Sequence, residues 1–339
     1  MSKNLGFSVY VSQFDKQRQK LEKLKGKNYP VFTSLHMNEE MSSDYVTKVE
    51  AMCQWLTEND FNILADVSPV TIRKFGEESL LTLAKRLNLD NVRLDYGFDL
   101  DTIELGEALG VTFNASTVDS SRLKYPNALY MHNFYPRPET ALDSEQLMQM
   151  NEAIRSTEGR LAAFITGDSE LRGPLYEGLP TLENHRNQSP YGQYVDMVKN
   201  YGIEKVFVGD LVLSQKEIDR INAYIEDGII RLPVQFSEED DYLYNQPFTV
   251  RVDSPSKLIR VQESREYAQP GRKVTPTHTD ERWKGTVTMD NEKYLRYSGE
   301  VQITKADYSA DKRVNVIGKI DKYYHLLLDN LHNGDTFMF

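Results

Sequence analysis

This chain of 339 residues has one cysteine, Cys53, so an internal disulfide is excluded and a reducing compartment suits it. It has no excess of positive charge. The formal net charge is −11, and a duplex nucleic acid needs a basic face that this balance does not supply. No run approaches the roughly 20 apolar residues of a membrane-spanning helix. The opening stretch MSKNLGFSVYVSQFDK reaches Asp15 and Lys16 too soon for a secretory signal core, so a cytoplasmic location is expected. Signature loops are missing as well. There is no Walker loop, no G-x-G-x-x-G, no H-E-x-x-H and no G-x-S-x-G elbow. Nucleotide, zincin and serine-hydrolase readings lose most of their weight, and no cofactor is expected.

What is present is a regular alternation. Strand-like runs occur at residues 6–12 (GFSVYVS), 30–36 (PVFTSLH), 62–68 (NILADVS), 91–97 (NVRLDYG), 111–117 (VTFNAST), 128–134 (ALYMHNF), 161–168 (LAAFITGD) and 205–210 (KVFVGD). Helical periodicity lies between them, as at 43–59, where Val46, Val49, Met52, Cys53 and Leu56 share a face. Residues 77–87, 144–157 and 214–226 read the same way. Eight strand–helix pairs in roughly 225 residues are the count and length of a (β/α)8 barrel, with a doubly wound open sheet as the alternative.

After about residue 228 helical periodicity fades. Short alternating runs follow at 229–236, 248–254, 258–264, 285–291, 299–307, 313–320 and 325–331, separated by turn residues such as Pro255 and Asn333-Gly334. The expected organisation is an α/β (β/α)8 TIM barrel over 1–228 and a small all-β barrel-like domain over 229–339.

Polar residues gather at the strand ends, where barrel active sites lie. They include His36, Asp66, Asp95, Asn114, His132, Asn133, Asp168 and Asp210. Two long loops add HNFYPRPET (132–140) and LRGPLYEGLPTLENHR (171–186). Connectors have no need of so many ionisable groups, and loops on rigid scaffolds are where sites are carried.

Glycoside hydrolysis needs two carboxyl groups flanking a bond. We read Asp95 as nucleophile or base, because Tyr96-Gly97 follows it and makes a helix cap a poor explanation. Glu177, in a proline-bounded loop beside Tyr176, is the general-acid candidate, since packing against apolar surface would favour its protonated form. Asp66 and Asp210 are reserves, with helix capping as their competing role. Some glycosidases instead let a group on the sugar itself attack, with a carboxylate such as Asp95 orienting it.

Arg172 and Arg186, with Arg137, are the phosphate candidates, because guanidinium forks bind phosphate bidentately. Pairing with neighbouring glutamates is the competing explanation. His36, Asn114, His132, Asn133, Arg137, Glu139, Glu183 and His185 are candidates to contact substrate. His36 with Glu39 or Glu40, and His132 with His185, lack any diagnostic metal spacing, so no metal is expected.

These segments resemble a known family. FTSLH, ILADVSP, RLDYGF, FNAST, HNFYPRPET, RGPLYEGLPTLENHR and VGD are similar to the barrel motifs of the bacterial 6-phospho-N-acetylmuramidases. RWKGTVTMDN, YSGEVQI and RVNVIGKI are similar to its second domain. The resemblance runs in order along essentially the whole chain. It implies a TIM barrel with a cyclophilin-like C-terminal domain. It also implies a cytoplasmic exo-glycosidase acting on MurNAc-6-phosphate–GlcNAc, a phosphorylated amino-sugar disaccharide released in peptidoglycan recycling.

Other functions remain in competition, because a barrel does not choose its chemistry. A metal-dependent phosphosugar hydrolase or isomerase is one. It is held back by the small number of histidines, six in all. An aldolase is disfavoured, because no lysine ends a strand. A non-catalytic carbohydrate-binding protein is separable only by assay. The expected partner is the sugar substrate, with no nucleic acid and no membrane. The oligomeric state is left open, homo-oligomer included.

Overall fold

The computed structural model describes residues 4–35, 43–94, 97–98, 109–117, 125, 127–265, 269 and 271–339. Two compact units emerge, Met1–Arg186 with Met197–Gln215, and Asn187–Asp196 with Lys216–Phe339.

Eight parallel strands close into a barrel in the first unit. They are β1 (Leu5–Ser8), β2 (Pro30–Ser34), β3 (Asn62–Val67), β4 (Asn91–Leu94), β5 (Gly110–Asn114), β6 (Leu129–Met131), β7 (Arg160–Ile165) and β8 (Lys205–Val208). β8 pairs with β1, so the open-sheet alternative is set aside. Each strand lies within one residue of its expected start and stops earlier than the apolar pattern suggests. Parallel strands are buried on both faces, which is why the runs read as nearly continuous apolar stretches.

Period-two alternation sorts these residues between lumen and helices. Phe32, Leu64, Leu129, Met131, Ala162, Phe164 and Phe207 form one buried cluster. Phe164 packs edge-on against Phe32 at 5.2 Å and Phe134 at 5.1 Å between ring centroids. Full burial of each such side chain is worth roughly 1.5–3 kcal/mol. Two positions further along the same faces the chemistry changes. Phe32 gives way to Ser34, Leu64 to Asp66, Met131 to Asn133 and Phe164 to Thr166. An apolar plug therefore sits under a polar mouth.

Helices flank these strands. α1 (Phe14–Leu21) and α2 (Tyr45–Glu58) come first, and α2 buries Val49, Met52, Cys53 and Leu56. Burial pushes the Cys53 thiol up to about 12, which keeps it protonated and inert. α3 (Pro69–Lys74) starts on a proline behind Ser68, and α4 (Leu80–Arg86) follows. α5 (Ser144–Arg155) opens on a capping box in which Gln146 N–H donates to Asp143 Oδ1 at 2.8 Å.

The second unit holds the first residues of α6 (Pro190–Lys199) and nearly all of α7 (Gln215–Asp227). It also holds two sheets. Their strands are β9 (Ile230–Arg231), β10 (Val234–Phe236), β11 (Pro247–Thr249), β12 (Leu258–Arg260), β13 (Thr286–Asp290), β14 (Val301–Thr304), β15 (Val314–Ile320) and β16 (Thr336–Met338). One sheet runs β10-β15-β13-β14-β12, with every neighbouring pair antiparallel. The other runs β11-β16-β9.

One expected strand is wrong. Residues 325–331 begin with helix α8 (His325–Asp329) instead. Leu326, Leu327 and Leu328 are all buried, so the run has no alternation to hold it in a sheet. Its ends are tied locally, by Asp321 Oδ1 accepting from Tyr323 N–H at 2.8 Å and by Asn330 Nδ2 donating to the Leu326 carbonyl at 2.9 Å. A short apolar run does not declare its period.

Candidate active site

Three side chains meet where the lumen turns polar. Asp66 on β3 and Arg93 on β4 stand in register. Arg93 Nη1 donates to Asp66 Oδ2 at 3.0 Å, and each side chain is 7% exposed. Arg93 Nη2 donates to Asn133 Oδ1, just beyond β6. Asn133 is held from behind. Its N–H donates to Ser116 Oγ at 3.0 Å, and its carbonyl accepts from Thr181 Oγ1 at 2.9 Å.

Arg93 Nε is buried with no hydrogen-bond partner among the described residues. Such an N–H costs about 1–3 kcal/mol, a cost that a bound acceptor removes. Arg93 is missing from the candidates read off the sequence. Its signal was a lone cation in an apolar strand, on the same face as Asn91. The cap reading of Asp66 does not hold, since Ser68 occupies the cap position of α3 and Asp66 pairs with Arg93. Asn114 is on the lumen side of β5, 8% exposed, with Oδ1 accepting from Ser116 N–H at 3.0 Å.

The loop after β7 is built around Asp210. This aspartate is 1% exposed. Its Oδ2 accepts from the Gly167 and Leu179 N–H groups at 2.9 and 3.1 Å, and its Oδ1 from Arg172 N–H at 2.9 Å. Burial raises its pKa, and these three amides and the Arg172 charge work against the rise. Asp210 does not cap α7. Asp168, beyond β7, instead holds the residue before α7, accepting from Ser214 N–H and Oγ at 2.7 Å each. Gly178 has φ +80°, and a Cβ there would meet Thr166 Cγ2 at 2.8 Å, so the loop needs glycine to lie this close to β7. The Arg172 guanidinium lies 4.1 Å from the centre of the Tyr10 ring.

Arg186 is used in another way. It donates from Nε to Glu183 Oε1 at 2.6 Å and from Nη2 to Oε2 at 3.1 Å. Its remaining bonds go to the carbonyls of Glu177 (3.0 Å), Gly178 (3.1 Å), Tyr135 (2.9 Å) and Arg137 (3.3 Å). Glu183 also accepts from Ala141 N–H at 3.1 Å, and Arg186 brings the Glu183 carboxyl down to about 2. This pair ties the loop after β6 to the loop after β7. With its donors committed, Arg186 is not placed to fork onto a phosphate, which corrects that expectation, and Glu183 joins it as a loop tie.

The other candidates scatter. His132 is fully buried, its Nε2 is 2.8 Å from Asn151 Oδ1 on α5, and burial pushes its pKa down to about 4. It faces the helical layer, one position out of phase with Met131 and Asn133, so it is not a mouth residue. His185 is fully buried in the turn Glu183–His185. Arg137 and Glu139 are exposed, and Glu139 has φ +69°. Glu177 is exposed, so the apolar setting expected around it is absent. His36 and Asp95 lie outside the described residues. Among the described residues no three His, Cys, Asp or Glu side chains are grouped to hold a metal. No helix among them is long and apolar enough to cross a membrane.

A closed (β/α)8 barrel with carboxylates, amides and a buried arginine at its C-terminal mouth has the layout of a barrel enzyme's active site. Models described as the N-terminal and C-terminal regions of 6-phospho-N-acetylmuramidase match residues 5–223 and 230–339. The chain belongs to the 6-phospho-N-acetylmuramidase family and is a glycoside hydrolase. It is similar to the crystal structure of a conserved Enterococcus faecalis protein described as of unknown function. The TM-score is 0.80 at 26% identity, over 99% of this chain and 96% of that one. It also shares its fold with an uncharacterized B. cereus protein, with TM-score 0.76 at 23% identity over 100% and 99% of the two chains. No curated protein matches the sequence.

Proposed function

We propose that this protein hydrolyses MurNAc-6-phosphate–GlcNAc in the cytoplasm, as a step of cell-wall recycling. The observation that carries the reading is the Arg93–Asp66–Asn133 chain at the barrel mouth, with its unfilled Arg93 Nε. It supplies a charged, rigid set of donors and acceptors suited to sugar hydroxyls and an acetamido group. The catalytic domain is read as residues 1–228, followed by a cyclophilin-like domain over 229–339.

Asp95 acts as nucleophile, base or orienting group, and Glu177 as general acid from its exposed loop. Asp66, in its ion pair, orients Arg93 and carries negative charge beside the reacting sugar. Asp210 holds the β7 loop in shape. Arg172, stacked on Tyr10, takes the phosphate together with Arg137, while Arg186 fixes the loops that present them. Asn114 and Asn133 meet the sugar's polar groups, and His36 and Glu139 are the remaining candidates to do so.

The deciding experiment incubates the protein with MurNAc-6-phosphate–GlcNAc and with its unphosphorylated form, with and without chelator. Release of GlcNAc and MurNAc-6-phosphate from the phosphorylated disaccharide, unaffected by chelator, is expected. No release, or equal turnover of both forms, overturns the assignment. Turnover abolished by chelator favours a metal-dependent hydrolase.

A further inference from the structure

The second unit contains a cavity of about 710 Å³ whose lining runs against the charge of the whole molecule. In a chain of net charge −11, five cations face it against two carboxylates, Asp307 and Asp321. Both carboxylates are occupied locally. Asp307 Oδ1 accepts from Lys284 N–H at 2.8 Å, and Asp321 Oδ1 from Tyr323 N–H at 2.8 Å. Two of the cations are also occupied, because Lys284 pairs with Asp329 at 3.0 Å and Arg220 pairs with Glu217 at 2.9 Å.

Three cations are left. Lys216 opens the α7 side, Lys319 lies on β15, and Lys322 follows it. Among the described residues the side chains of these three lysines enter no ion pair or hydrogen bond. All three are exposed at the cavity, where like charges repel and an anion would be drawn to them.

The wall carries a second unusual feature. Trp283 is 52% exposed at this cavity. Its backbone is pinned, with its carbonyl accepting from Thr304 Oγ1 at 2.6 Å and from Thr286 N–H at 3.0 Å. Trp283 lies in the turn leading into β13, and its side chain is half exposed. An indole face open at a cavity wall offers a flat ligand a surface to stack on.

From this juxtaposition we infer that the cavity binds a nucleoside diphosphate, the base stacking on Trp283 and the diphosphate lying among Lys216, Lys319 and Lys322. The volume falls within the usual range of about 300–1,000 Å³ for small-ligand pockets. Lysines act here as point charges, which explains how the chain can hold such a ligand without a glycine-rich phosphate loop. The site shares no residue with the barrel mouth, and it is independent of the glycosidase reading.

The test uses intrinsic fluorescence. The chain has two tryptophans, and Trp55 is only 9% exposed, so a quench by added ADP reports on Trp283. Saturable quenching by ADP is expected, absent in Trp283→Phe, with calorimetry confirming residual binding by that variant. The triple change Lys216→Ala, Lys319→Ala and Lys322→Ala should weaken ADP by at least about tenfold. Its unchanged melting temperature and unchanged glycosidase turnover would show an intact fold. Adenosine and inorganic pyrophosphate should each bind at least about tenfold more weakly than ADP, because each keeps only one of the two contacts. Absence of saturable ADP binding overturns the proposal. So does an affinity unchanged in the triple variant, or glucose 6-phosphate binding as tightly as ADP.

Discussion

Two arginines in the barrel unit each pair with a carboxylate, and they are spent differently. Arg186, at 8% side-chain exposure, gives its donors to Glu183 and to four backbone carbonyls on two loops. Arg93, at 7%, gives its donors to Asp66 and Asn133 and has one buried N–H with no partner among the described residues. Burial alone does not separate them. The accounting of donors does. Arg186 completes its hydrogen bonds within the loops, while Arg93 holds a buried donor at the polar mouth that a bound acceptor would satisfy. The aspartates are held differently as well: three backbone amides bond the Asp210 carboxylate, whereas Asp66 pairs with the Arg93 guanidinium at the mouth.

The largest test breaks the Arg93–Asp66 pair. Arg93→Met removes the ion-pair partner of the buried Asp66 carboxylate and should cost about 3–5 kcal/mol of stability in denaturant melts. Adding Asp66→Leu should recover most of that loss while turnover stays near zero. Recovery of activity in the double variant would place this pair with the architecture.

Next come Asp95→Asn and Glu177→Gln, each expected to lower kcat by at least about a hundredfold with folding intact. Near-normal turnover in both, with Asp66→Asn inactive, would move the chemistry onto the strand-end pair.

The third test contrasts arginines directly. Arg172→Ala should weaken the phosphorylated disaccharide by about 2 kcal/mol and hardly touch the unphosphorylated one. Arg186→Ala should instead lower the melting temperature and impair both substrates alike. Identical profiles for the two variants would erase the distinction drawn between them.

The smallest effect concerns His132, whose pKa burial holds near 4. A base with a depressed folded pKa takes up its proton first in the unfolded chain. Its contribution to stability is therefore complete above the unfolded value near 6.5 and is lost as pH falls toward 4. Lowering the pH from 6.5 to 5.5 should cost about 1 kcal/mol through this group, and His132→Gln should flatten that slope in thermal melts. A pH-dependence carried by kcat instead would return His132 to the active site.

Much of the barrel was legible because each strand is a continuous apolar run bounded by turn residues. β3 is expected at 62–68 and runs Asn62–Val67. α8 was not legible, since three consecutive leucines carry no period. At the site, strand ends were easy to locate, and Asp66, Asn114 and Asn133 lie at the strand ends of the polar mouth as their positions in the sequence predict. Arg93 was overlooked because a strand-interior cation looks like an exposed one until the barrel closes around it. Arg186 and Glu183 were given substrate roles because their spacing does not reveal which carbonyls surround the guanidinium.

The sequence by itself determined eight alternating strands and helices, the all-β region that follows and the polar residues at the strand ends, because alternation and run length are local properties; that the eight strands close into a barrel rests on the β8–β1 pairing. Only the tertiary structure decided which charged groups are spent on the fold and which remain for a ligand. That division depends on hydrogen bonds between residues far apart in sequence, such as the bond from Arg186 to Tyr135 and the one from Arg172 to Asp210. No spacing rule reaches across such distances.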